Sequence, residues 1–263
     1  MNKKSALFIV LTALLLSAPL PSLWSQGLYR NIAALKFHYY SDDRYGAIWE
    51  EVFITPLPKN LYLVTAATGE NTSFSNINGG RIGLAFDLPG YYYGEAAYSL
   101  ERNFDEEYYL HSVFLSTTYE SGPAMASVSL TGEFCEESNG AIVSPGLRYF
   151  INPKLAASLK LFLALHDYTD DDTFFNFAVL GIGEYQLGPE ILGSFGGTFG
   201  TEYEPDHKYG KWSVIGGIKV VPTDRISVLS QFEYTNSRAH PTNPHEIYGI
   251  NFVTDIKFGT VKE

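Results

Sequence analysis

The chain has 263 residues, of which 45% are hydrophobic, 15% aromatic and 18% charged. Its 19 Tyr and 18 Phe are too much apolar surface for a disordered coil, and past the N-terminus no stretch approaches the ~20 apolar residues of a spanning helix. A net charge of −11 argues against a nucleic-acid binder, which needs clustered Lys and Arg, and a single cysteine excludes an intramolecular disulfide framework.

Residues 1–25 read as an export signal. Lys3 and Lys4 form a basic head, Ala6 to Leu16 an apolar core, and Pro19 and Pro21 break any helix before Ser22-Leu23-Trp24-Ser25. The alternative is a short anchor that is never cleaved. A lipid-anchored form lacks its acceptor, because Cys135 is the only cysteine. Residues 26–263 then form one exported, acidic domain without a linker or an internal repeat.

From Gly27 onward the pattern has period two, the signature of strands. Ile82, Leu84, Phe86 and Leu88 alternate with Arg81, Gly83, Ala85 and Asp87. Leu155, Ala157, Leu159, Leu161, Leu163 and Leu165 alternate with Ala156, Ser158, Lys160, Phe162, Ala164 and His166. This stretch also reads as an amphipathic helix through Leu155, Leu159 and Phe162, but six apolar residues of one parity favour the strand. Phe195, Gly197 and Phe199 oppose Ser194, Gly196, Thr198 and Gly200. Tyr248, Ile250, Phe252, Ile256 and Phe258 oppose Gly249, Asn251, Val253, Asp255 and Lys257. Each strand has one oily face and one face of small, polar and charged residues.

The connections alternate as well. Short Pro-bearing segments at Pro56–Asn60, Leu88–Gly90, Ser121–Pro123, Ile151–Lys154, Leu187–Glu190 and Val221–Asp224 have tight-turn chemistry, with Pro presetting φ and Gly or Asn taking the left-handed position. Longer polar connections fall between them: Ser41–Tyr45, Glu70–Gly79, Arg102–Glu107, Glu133–Asn139, His166–Thr173, Glu204–Lys208 and Asn236–Glu246. Six turns interleaved with seven loops predict about fourteen strands (twelve to sixteen allowed) of about 9–13 residues, with both chain ends on the turn side. The expected fold class is all-β: a closed antiparallel up-and-down transmembrane barrel. Lipid offers no hydrogen-bond partners, so a spanning sheet must close on itself. Tyr29, Tyr39, Tyr119, Tyr149, Trp212, Tyr234, Tyr248 and Phe258, near the expected strand ends, suit two interfacial girdles. The competing reading is a secreted β-sandwich or soluble barrel, in which the turn–loop asymmetry has no reason to arise.

In this pattern of signal, alternating strands and asymmetric connections the chain resembles the bacterial outer-membrane β-barrel proteins, and in size and strand count it is broadly similar to the YaiO-type small barrels. The resemblance implies residence in the cell outer membrane, contact with its lipid, and delivery by the barrel-insertion machinery. It departs from the usual aromatic C-terminal residue, since Phe258 is followed by Gly259-Thr260-Val261-Lys262-Glu263.

Strand parity turns Arg30, Lys36, Arg81, Asp87, Glu95, Glu133, Arg148, Lys160, Glu184, Lys219, Gln231, Glu233, Asp255 and Lys257 inward, because charge on the lipid face is costly. One reading is an aqueous, porin-like passive channel for small hydrophilic solutes, its permeation path shaped by Arg81, Glu95, Arg148, Lys160, Lys219 and Glu233. The other is a salt-bridged interior with no continuous path, in a barrel that displays acidic loops to a partner. No connection exceeds about ten residues, so wall side chains are the expected constriction.

An enzyme is not expected. A lipid hydrolase needs its nucleophile and base on one face, two residues apart, and no His is followed at that spacing by Ser; the neighbours His111 and Ser112 point to opposite faces. Asp42-Asp43 and His166-Asp167 pose an aspartate–histidine protease pair only if loops bring them together. Asp167 and Asp170-Asp171-Asp172 lack the spaced calcium-loop pattern, and the six His show no metal-ligand pairing. Cys135 reads as an incidental loop thiol. Gly79-Gly80-Arg81 and Gly196-Gly197 precede no helix and are not phosphate cradles, so no metal or cofactor is expected.

Overall fold

The computed structural model describes residues 29–41, 44–72, 76–88, 92–105, 107–136, 138–168, 173–204, 207–238 and 246–258. The expected export signal, Asp42-Asp43, Pro89-Gly90, Asp170–Asp172 and the five residues after Phe258 lie outside these.

Fourteen strands form the sheet: β1 (Tyr29–Tyr40), β2 (Tyr45–Leu57), β3 (Leu61–Asn71), β4 (Asn76–Leu88), β5 (Tyr92–Asn103), β6 (Tyr109–Ser121), β7 (Ala124–Phe134), β8 (Ser138–Asn152), β9 (Leu155–Tyr168), β10 (Thr173–Gly188), β11 (Ile191–Glu204), β12 (His207–Thr223), β13 (Ile226–Arg238) and β14 (Glu246–Phe258). Each pairs antiparallel with its neighbours in sequence, and β1 pairs with β14 to close the barrel. The expected parity sets the faces. Leu159, Phe195 and Ile218 are 57%, 69% and 52% exposed on the outside, where such a surface suits hydrocarbon rather than water.

Two interfacial belts lie on the outer face. At the tight-turn end Tyr29 stacks on Phe258 at 5.8 Å and Tyr92 on Tyr119 at 4.6 Å. At the loop end Trp212, Tyr234 and Tyr248 form a chain of ring contacts at 5.4 and 5.2 Å. Asn31 and Glu51 depart from the apolar pattern: both point outward, both are buried (5% and 4% exposed), and Asn31 Nδ2 donates to Glu51 Oε1 at 3.1 Å.

The tight turns are stitched to the hairpin that follows. Asn60, Pro123, Lys154, Glu190 and Arg225 each offer a carbonyl that accepts from Asp87, Phe150, Gln186, Val221 and Lys257 respectively. These bonds fix the stagger of successive hairpins at the turn end. Lys59, Asn60 and Gly122 supply the left-handed turn conformations at φ 65°, 58° and 57°. An added side chain at Gly122 meets nothing within 4 Å, so Gly122→Val isolates backbone strain. We expect it to cost about 1–2 kcal/mol, read as a lower urea midpoint for the folded barrel.

Two sequence-based expectations need correction. The strands run from 11 to 17 residues, longer than expected, and they consume much of the polar connections. The connection placed at Glu70–Gly79 shrinks to the four residues between Asn71 and Asn76, because polar strands continue above the apolar band. The last turn falls at Asp224-Arg225, leaving Pro222 inside β12 at a register shift between Val220 and Thr223.

Candidate functional site: the barrel interior

Fourteen strands about 4.8 Å apart and tilted about 40° enclose a cylinder about 28 Å across at the backbone. That is wider than eight-stranded barrels, whose interiors side chains can fill. Register places all fourteen residues expected inside on the inner face.

Four ion pairs brace the wall. Arg30 donates twice to Asp255 at 2.7 Å across the β1–β14 seam. Lys36 reaches Glu233 at 2.7 Å by passing over Gly249 of the intervening strand, where an added Cβ would sit 3.3 Å from the Lys36 Cε. Arg148 meets Glu184 at 2.7 Å across β9, over the small residues Ala156 and Ser158. Arg81 and Glu95 are looser, at 3.9 Å, and neither Arg81 Nε nor Glu95 Oε1 has a hydrogen-bond partner. Lys160 has no carboxylate partner among the described residues and instead lies 5.0 Å from the Phe162 ring. Arg148 likewise lies 4.9 Å over Phe150. Lys219 and Lys257 both act electrostatically on Asp255.

The remaining wall is uneven. On the inner face of β2–β4, Val52, Val64 and Ala85 form a small apolar cluster packed by Ile32, Ile54, Tyr62 and Ala66. Tyr93 interacts electrostatically with Glu95, Arg30, Arg81 and Tyr62, so these groups crowd one side of the lumen near the tight turns. From β5 to β8 the wall is lined with hydroxyls, including the cross-strand pairs Ser99–Ser112, Ser116–Ser129 and Ser129–Ser144.

Toward the loop end the charges segregate. Glu101 interacts with the like charges of Glu133, Glu70 and Glu50, which forms an acidic arc on β2, β3, β5 and β7. Lys36, Lys211 and Glu233 act together on His38, on a mixed-charge stretch of wall formed by β1, β12 and β13 that adjoins the arc where β1 pairs with β2. The loop-end charge is therefore uneven around the wall. Of this arc the sequence pattern marks only Glu133 as inward. Glu70 and the residues after Glu101 have the polar composition of connections, although continuing the parity of Ala66 and Thr68 through Glu70 finds it.

Two neighbouring pairs considered for chemistry are split between the faces of the sheet. His111 faces outward, its Nδ1 2.6 Å from the Tyr98 hydroxyl, while Ser112 faces inward against Glu133. His166 is on the inner face and Asp167 on the outer, where Asp167 accepts from Thr173 Oγ1 at 2.9 Å. Cys135 sits in the connection after β7, half-buried, with its Sγ 3.4 Å from the Ser138 carbonyl. No group of three or more His, Cys, Asp or Glu among the described residues has the geometry of a metal site.

No family model and no curated protein matches the sequence. Solved structures match in fold. The CymD monoaromatic hydrocarbon channel superposes with a TM-score of 0.64 at 9% identity, covering 90% of each chain. A bacterial polysaccharide outer membrane secretin gives 0.60 at 11% identity, covering 89% of this chain and 99% of its own. The anion-selective porin from Comamonas acidovorans gives 0.53 at 10% identity, covering 88% and 99%. With its closed meander, apolar outer band and paired aromatic girdles, the chain is a fourteen-stranded antiparallel β-barrel with the fold of outer-membrane barrel proteins.

Proposed function

We propose that the barrel is a passive, porin-like channel for small hydrophilic solutes, with Arg81, Glu95, Arg148, Lys160, Lys219 and Glu233 along the permeation path. The observation that carries this reading is an inner face that is polar and incompletely packed. Not one large side chain is fully buried among the described residues, and the basic partners of the four ion pairs keep 30–42% exposure. A closed structural barrel is favoured by a different observation, the ion-paired wall beside the Val52–Val64–Ala85 cluster. Lipid contact follows from the outer face; the insertion machinery and the solutes are part of the proposal.

Planar-bilayer conductance separates the two, after heat-modifiable gel mobility establishes that the barrel is folded. We expect discrete current steps. Lys160→Glu breaks no ion pair and should shift ion selectivity with little change in stability. A folded, inserted and electrically silent barrel would overturn the channel.

A further inference from the structure

We propose that the outer face around Arg102 binds a phosphorylated lipid headgroup of the loop-side leaflet. This does not depend on whether the lumen conducts. Among the described side chains, Arg102 is the only lysine or arginine on the outward face of a strand. Eight other strand cations, Arg30, Lys36, Arg81, Arg148, Lys160, Lys211, Lys219 and Lys257, share the inner register, while backbone register puts Lys208 and Arg238, at the loop-side ends of β12 and β13, on the outer parity. Arg102 is exposed near the loop end of β5, and its guanidinium carbon lies 4.8 Å from the Phe104 ring and 5.5 Å from that of Tyr109. The rings hold the cation at the girdle, with a planar fork of N–H donors suited to phosphate.

A second donor stands beside it. Tyr109 pairs with Arg102 and His111 with Leu100, which places His111 on the same face about 7 Å from Arg102. When the Tyr98 hydroxyl donates to His111 Nδ1, the imidazole proton sits on Nε2, free to meet an acceptor. Below lie the exposed apolar side chains Tyr98, Leu100 and Val113. Glu101 points inward, and Asp105 and Glu107 belong to the connection beyond the strand end. A ligand that satisfies this surface is apolar toward the membrane centre and anionic at its rim. That combination selects a lipid over free phosphate.

The test uses the mature chain folded in phosphatidylcholine vesicles with tracer spin-labelled phosphatidic acid or spin-labelled phosphatidylcholine. The motionally restricted fraction of each label measures its relative affinity for the barrel. We expect about fivefold preference for phosphatidic acid, abolished in both Arg102→Gln and Arg102→Met. The preference should survive neutralisation of the turn-end cations Lys59, Lys154 and Arg225 to Gln. Two variants at Arg102, each checked for heat-modifiable mobility, keep a folding defect from passing as lost binding. No preference in the unaltered barrel, or a preference that survives both Arg102 variants or vanishes with the turn-end triple, overturns the assignment. Full displacement by millimolar inorganic phosphate overturns it as well, and reassigns the arginine to free phosphate.

Discussion

Replacing Glu50, Glu70, Glu101 and Glu133 together by Gln should lower the cation-to-anion permeability ratio by about threefold or more, read from the reversal potential in a potassium chloride gradient. The arc gathers Glu133, Glu70 and Glu50 within electrostatic reach of Glu101, on one side of the loop-end lumen. The basic groups on the adjoining wall are Lys36 on β1, beside the arc, and Lys211 on β12, and Lys36 is paired with Glu233. The field there favours cations, and wall potentials of several kT enrich counter-ions about tenfold or more where low-dielectric walls focus them. The arc makes none of the four wall ion pairs, so the quadruple variant should keep its urea midpoint. An unchanged permeability ratio in a conducting, folded variant would sink this account of selectivity. A large loss of stability would show that the arc belongs to the structure rather than to the path.

Arg30→Ala should weaken the barrel by about 1–2 kcal/mol in urea unfolding, the scale of a bidentate, partly exposed charge-assisted pair. Asp255 is the more buried partner, at 14% side-chain exposure against 42% for Arg30. Removing the cation therefore leaves the costlier charge behind. Arg30→Ala combined with Asp255→Asn should recover much of the loss, and that non-additivity is the signature of a direct pair. If the double variant is as unstable as the sum of the singles, the seam is held by backbone pairing and the Tyr29–Phe258 stack instead.

The sequence made the strands legible because the chain separates two solvents at every residue. Leu155 to Leu165 can alternate cleanly only if one face meets lipid and the other does not. The same contrast fails above the apolar band. Gly69, Asn78 and Arg102 face outward there as polar or small groups, so their strands look like loops, and Glu70 and Glu101 were hidden with them. The acidic arc was further out of reach because it joins strands β2, β3, β5 and β7, whose relative heights depend on register. The outward pair Asn31–Glu51 has the same origin: it spans two strands, and only the pairing of Ala33 with Glu51 brings its members together.

The β1–β14 seam also sets the order of assembly. Every other pairing joins strands adjacent in sequence, whereas the Arg30–Asp255 contact closes over 225 residues. A chain lacking β14 retains the other twelve sequential pairings but leaves β1 and β13 as open edges, each with a row of unpaired backbone groups that lipid cannot satisfy. Thirteen pairings can therefore accumulate as hairpins zip onto one another, and the fourteenth must wait for the two ends to meet. Folding should show a late, single closing step, and slowing that step would leave a nearly complete sheet with its edges open to another copy of the same chain.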